Sequence, residues 1–116
     1  MDVIKGNIYE LVDKELNAAN EKFPLFASSH EAYAVIFEKF DEAREELEDL
    51  NYLLDRFWLG VKQNTADIVK NNQLEGIHER AVRLAVEVIQ VAAMARKAIM
   101  SSYQKGDQAH GETTEN

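Results

Sequence analysis

Two short stretches of this chain carry side chains that could handle a divalent cation. Glu38, Asp41 and Glu42 are spaced three and four residues apart, so on a helix their carboxylates share one face. Magnesium favours hard oxygen ligands and keeps several of its waters, so two or three converging carboxylates are enough to hold it. The second stretch, Glu87-Val88-Ile89-Gln90-Val91-Ala92-Ala93-Met94-Ala95, sets one carboxylate and one amide a turn apart in an apolar segment. A carboxylate among Leu84, Ala85, Val86, Val88, Ile89 and Val91 is costly to bury unless it meets a cation, a donor or a metal. Each stretch also has a plainer reading. The first is a solvated acidic face, and the second is an ion pair of Glu87 with Arg83 or Arg80.

Further candidates follow from charge and position. His30 lies at a predicted helix start, where exposed amides favour anions and phosphates. Gln90 offers a carbonyl oxygen to a metal or an amide to a substrate. The five glycines are scattered, so no phosphate-cradling glycine loop is present. Cysteine is absent and no histidine is placed near a plausible serine, which argues against a nucleophilic triad.

The elements that must position these residues read as helices. Ile4, Ile8, Leu11, Val12, Leu16 and Ala19 recur at helical spacing over residues 3 to 22, and Pro24 ends the run. Ser28-Ser29-His30-Glu31 then forms a capping box that opens a second helix, expected to reach about Lys62. Its apolar positions, from Tyr33, Ile36, Phe40 and Ala43 through Leu47, Leu50, Leu54, Phe57 and Val61, alternate steps of three and four. That is a heptad seam facing partner helices. Over residues 31 to 55 acids dominate, with Lys39 and Arg44 as the bases. A short helix is predicted over Thr65 to Asn72, with Asn71-Asn72 as a turn. The last helix is expected to start between Leu74 and Ile77. Its Ala81 to Ile99 segment, apolar nearly all round, should be central and most buried. Arg80, Arg83, Glu87, Gln90 and Lys97 share its polar face. The tail from Gln104 to Asn116 lacks apolar periodicity and is expected to be disordered.

The 116 residues fit one domain, predicted as residues 1–103 followed by the tail, and a partner subunit would help complete its core. A net charge of −8 with no basic stripe argues against nonspecific nucleic-acid binding. No apolar run reaches the roughly 18 residues of a membrane span, and the first residues lack signal-peptide character. Together with the absence of cysteine, this fits a cytoplasmic protein.

On these residues the chain resembles a family. His30-Glu31-Ala32-Tyr33-Ala34-Val35-Ile36, followed by Glu38-x-x-Asp41-Glu42, is similar to the first metal-binding helix of the MazG-like, all-α nucleoside triphosphate pyrophosphohydrolases. The similarity is to their short phage and prophage forms. Glu87-x-x-Gln90-Val91-Ala92-Ala93-Met94-Ala95 is similar to the second helix of those forms, and the likeness spans about residues 23 to 100. The resemblance implies an all-α helical bundle of about four helices, with active sites formed in a homodimer or homotetramer. It implies Mg²⁺, or Mn²⁺ in its place, and cleavage of nucleoside triphosphates to monophosphate and pyrophosphate. The implied ligands are Glu38, Glu42, Glu87 and Gln90, with Asp41 joining Glu38 as a replacement at the same three-residue spacing where Lys39 stands, and with Glu38, Glu42 and Glu87 as the catalytic carboxylates. His30, Lys39, Arg80 and Arg83 would face the phosphates. Two positions depart from the family pattern: Lys39 stands where a second carboxylate is expected, and Gln90 replaces an aspartate. The alternative is therefore a catalytically silent helical oligomer that acts as an interaction module. A third reading is an acidic mimic of DNA.

Overall fold

The structure, a computed structural model, describes residues 2–108 and the side chains of residues 2–102. It is all-α. Among the described residues there are three helices, α1 (Asp2–Lys22), α2 (Ser29–Gln63) and α3 (Asp67–Gln108), and no strand. No helix among them is long and apolar enough to cross a membrane.

The ends of α1 and α2 have local causes. The first carries Asp2 in its opening turn and Lys22 in its closing one, both complementing the helix dipole. It closes with Phe23 N donating to Ala19 O at 2.9 Å, just before Pro24. The second starts as the sequence predicts: Glu31 N donates to Ser28 Oγ at 3.1 Å. The Glu31 carboxylate accepts from Ala27 N at 2.6 Å, one residue outside the usual capping-box donor. It ends in a Schellman turn, in which Thr65 N donates to Gly60 O at 3.0 Å and Asn64 N to Val61 O at 3.2 Å. Asn64 holds the left-handed position of that turn with φ 54°. Gly60 is required beneath it, because a Cβ there would lie 2.8 Å from Thr65 Oγ1.

The expected break at Asn71-Asn72 does not occur; α3 runs straight through it, so three helices replace the expected four. Asparagine costs a helix only a fraction of a kcal/mol, and neither proline nor glycine is present there to stop it. Residues on both sides of the pair lie beside α2. Lys70 and Gln73 lie against Gly60, and Gly76 lies against Leu53. Residues 104–108 of the expected disordered tail continue α3. The expectation for the remaining residues, 109–116, falls outside those described.

The chain forms two compact units, one of Met1–Glu38 with Ile89–Asn116 and the other of Lys39–Val88. The first contains the apolar core. Val12 and Leu16 of α1, Phe26 of the connector, Ala32 of α2, and Ala93 and Met94 of α3 are buried together. Phe26 is tied down by its backbone, whose N–H donates to Ser101 Oγ at 2.9 Å, while Ser101 donates to Lys97 O at 2.7 Å. The Lys97 ammonium stands 5.0 Å from the centre of the Phe26 ring.

The second unit is a helical hairpin of α2 and α3. Here the heptad seam splits into two columns. Ala43 is buried and Leu50 and Phe57 are half-buried, whereas Leu47 and Leu54 are each 52% exposed and Val61 is exposed. The expectation that Ala81 to Ile99 is the most buried segment holds only for its second half. Ala93, Met94 and Lys97 are buried, but Val82, Val86 and Val88 stay about half exposed. Two helices cannot enclose a third surface, so apolar columns pointing away from the hairpin contact remain at the surface.

Candidate functional site

The second unit brings together one carboxylate from each of the two helices singled out by sequence. Glu42 on α2 and Glu87 on α3 interact across the hairpin, and Glu46, one turn beyond Glu42, adds a third negative charge. Lys39, one turn before Glu42, places its ammonium 3.9 Å from Glu42 Oε1. Glu42 and Glu87 are half-buried, and the Oε1 atom of Glu87 is fully buried with no hydrogen-bond partner.

The electrostatics follow from this placement. Burial raises the Glu87 carboxyl above the usual carboxylate range. The neighbouring Glu42 carboxyl pushes the same way, Lys39 opposes them, and Glu46 adds a smaller push. Two ionised carboxylates cannot donate to each other, so the pair is satisfied either by sharing a proton or by a cation placed between them.

The other candidates are distributed differently. Asp41 is in short contact with the Arg44 guanidinium, which also meets Glu48 at 2.7 Å, so its carboxylate is engaged along its own helix. Arg80 joins α3 to α2 by ion pairs to Glu46 at 3.1 Å and Asp49 at 3.4 Å. Arg83 pairs with Glu79 at 3.3 Å, so neither arginine takes up Glu87. Glu38 and Gln90 belong to the first unit, the former exposed and the latter half-buried. His30 is exposed on the first turn of α2, where the Ser28–Glu31 cap already occupies amide groups. Glu46 was not among the residues read from sequence as site candidates. Its signal was available in the four-residue step from Glu42, which places both on one face.

Among the described residues no group of three His, Cys, Asp or Glu side chains is placed to hold an ion by itself. Two carboxylates with an unpartnered oxygen still suit magnesium, which proteins commonly bind through one or two carboxylates while phosphates and waters complete the shell. The set therefore fits an ion that arrives with a phosphate ligand and does not fit a closed protein cage. Comparison of the chain with family models, with curated proteins and with solved structures returns no match.

Proposed function

We propose that this protein is a magnesium-dependent nucleoside triphosphate pyrophosphohydrolase of the MazG-like kind, working as a homodimer or homotetramer. The observation that carries this reading is the pairing of Glu42 with Glu87, the latter with a buried oxygen lacking a partner. The two residues come from the two stretches on which the resemblance rests. An all-α fold in which α2 and α3 present those stretches to each other is the architecture the reading requires.

In this mechanism Glu42 and Glu87 would hold the ion. A bound Mg²⁺ would supply charge neutralisation at the phosphate oxygens and a more acidic water. Glu87 is suited to exchanging a proton at its carboxyl, because burial and Glu42 both favour its neutral form. Lys39 takes up negative charge on the phosphates. Water adds at the α-phosphorus and pyrophosphate leaves, giving the monophosphate. Oligomerisation is supported by the outer seam column Leu47, Leu54 and Val61, with Val82 and Val86 on α3, all exposed in the single chain. A second copy would cover such columns as coiled-coil neighbours do.

The test is product analysis on a panel of ribo- and deoxynucleoside triphosphates with Mg²⁺, Mn²⁺ or EDTA. Metal-dependent release of monophosphate and pyrophosphate, lost in Glu42→Gln and Glu87→Gln, is the expected result. A folded protein with no turnover under any condition supports the second reading, a catalytically silent helical oligomer. That reading is favoured by the ammonium 3.9 Å from Glu42 and by the lack of a three-ligand acidic group among the described residues.

A further inference from the structure

We infer that the cavity between the first turns of α2 and residues 98–102 of α3 is a binding site for a small uncharged aromatic molecule with hydrogen-bonding groups on its edge. Such binding needs no metal ion and neither Glu42 nor Glu87, so it goes beyond the proposed hydrolysis and does not rest on it.

Three observations carry the inference. The cavity lies wholly within the first unit and measures about 330 Å³, the size of a small-ligand pocket and far above a packing void. One wall, Phe26, is anchored twice. Its N–H donates to Ser101 Oγ at 2.9 Å, and the ammonium of the buried Lys97 stands 5.0 Å from its ring centre and 5.9 Å from that of Phe23. That wall is therefore formed before any ligand arrives. The other aromatic wall, Tyr33, lines the cavity and stacks on Phe37 at 5.9 Å between centroids, yet it is 68% exposed. A ring left open beside a hollow gains contact when a second ring covers it.

The lining decides the chemistry of the ligand. Apart from the Tyr33 phenol it contains no acid or base. Two charged residues close by in sequence are turned to other partners: Glu31 accepts from Ala27 N at 2.6 Å, and Lys97 faces the two phenylalanines. A charge carried into the cavity would lose hydration without gaining a countercharge, which is costly. Ile36 and Ala98 add apolar surface, with little bulk at the alanine. Ser101 is already used in both directions, and Ser28 accepts from Glu31 N at 3.1 Å. Ser29 and Ser102 are then the hydroxyls that meet a ligand, and a hydroxyl serves both a donor and an acceptor. An aryl carboxamide and a nucleobase share the matching chemistry, a flat neutral ring with both kinds of group on its edge.

The experiment is ¹H–¹⁵N NMR titration of the full chain in EDTA with benzamide, uracil, benzoate and benzylamine, repeated on Ala98→Leu and on Ser29→Ala combined with Ser102→Ala. Benzamide and uracil should give saturable shifts at residues 28–36 and 98–102, and the tighter of the two identifies the source of the ring. Benzoate and benzylamine should bind at least about tenfold more weakly. Ala98→Leu, which fills the cavity, should abolish the shifts, and the double serine variant should weaken binding about tenfold. Circular dichroism checks the helix content of each variant; if Ala98→Leu loses it, the serine variant and the charged probes carry the test. Shifts that do not saturate, that fall outside these residues or that persist in a folded Ala98→Leu overturn the inference. Benzoate binding more tightly than benzamide also overturns it, by making the cavity an anion site. So does a parent protein that binds no probe and changes oligomeric mass on Ala98→Leu, since a second copy then fills the cavity. Failure of the proposed hydrolysis leaves all of these outcomes unchanged.

Discussion

The two units of this chain use the same two long helices to different ends. In the unit of residues 1–38 and 89–116, α2 and α3 carry small and apolar side chains, and α1 and Phe26 close over them. In the unit of residues 39–88, α2 and α3 face each other with charges beside a thinner apolar contact that includes Ala43, Leu50 and Phe57. Glu42 meets Glu87, Arg80 meets Glu46 and Asp49, and apolar side chains are left exposed on the outside. The first unit invests its contacts in burial, the dominant favourable term in folding. The second sets two carboxyls against each other, and there burial and the neighbouring Glu42 raise the Glu87 carboxyl.

The sharpest way to break this contrast is at the carboxylate pair. Glu42→Gln or Glu87→Gln should lower pyrophosphohydrolysis on the order of a hundredfold to a thousandfold, measured as kcat/KM with Mg²⁺, with helix content unchanged. Unchanged rates would remove the pair from the chemistry. Next in size is truncation of the apolar core. Met94→Ala or Leu16→Ala should cost about 2–5 kcal/mol in denaturant unfolding, because both side chains are buried in the closed unit. Leu54→Ala, exposed in the single chain, should cost far less in dilute protein. Pairing Leu47→Asp with Leu54→Asp should convert an oligomer to monomer in sedimentation. A monomeric parent protein, or no change of mass in the variant, would show that no second copy covers that column.

Smaller effects sharpen the comparison through pH. The Glu87 carboxyl is raised in the folded state, so over the range between its unfolded and folded values the native protein holds a proton that the unfolded chain has lost. Metal-free stability should therefore fall as pH rises from the ordinary carboxylate range toward neutrality. Glu87→Gln should flatten that slope, and Mg²⁺ with a nucleotide analogue should reverse it; thermal melts at a series of pH values test all three. The smallest effect is at the α2–α3 turn. Asn64→Gly relieves a left-handed residue and should stabilise by about 0.5 kcal/mol, whereas Asn64→Ala should destabilise by about 1 kcal/mol.

Much of the fold was legible because its signals are local. Ser28 and Glu31 are three residues apart and cap α2 within a single turn; Pro24 lies just after the end of α1. Asn71-Asn72 misled because turn preference in an asparagine pair is weak. Asparagine costs a helix little, and no proline or glycine interrupts this stretch. The candidate site was half legible. Glu42 and Glu87 stand out by type and setting, but the engagement of Asp41 depends on the rotamer of Arg44, and the part played by Glu46 depends on Arg80 reaching across from α3. Lys97 reads as a polar-face residue and is instead 3% exposed, its ammonium set over aromatic rings.

By itself the sequence determined the helical class, the ends of α1 and the start of α2, the acidic character of α2 and the oddity of a glutamate at position 87. Each of these follows from periodicity, capping or composition within a few residues. Only the tertiary structure decided that α3 is one helix and that Glu42 is the acid placed with Glu87. It also decided that Lys39 stands beside the pair while three arginines are held elsewhere. Those outcomes depend on which faces of two helices meet, and that register is set by packing between residues some forty positions apart.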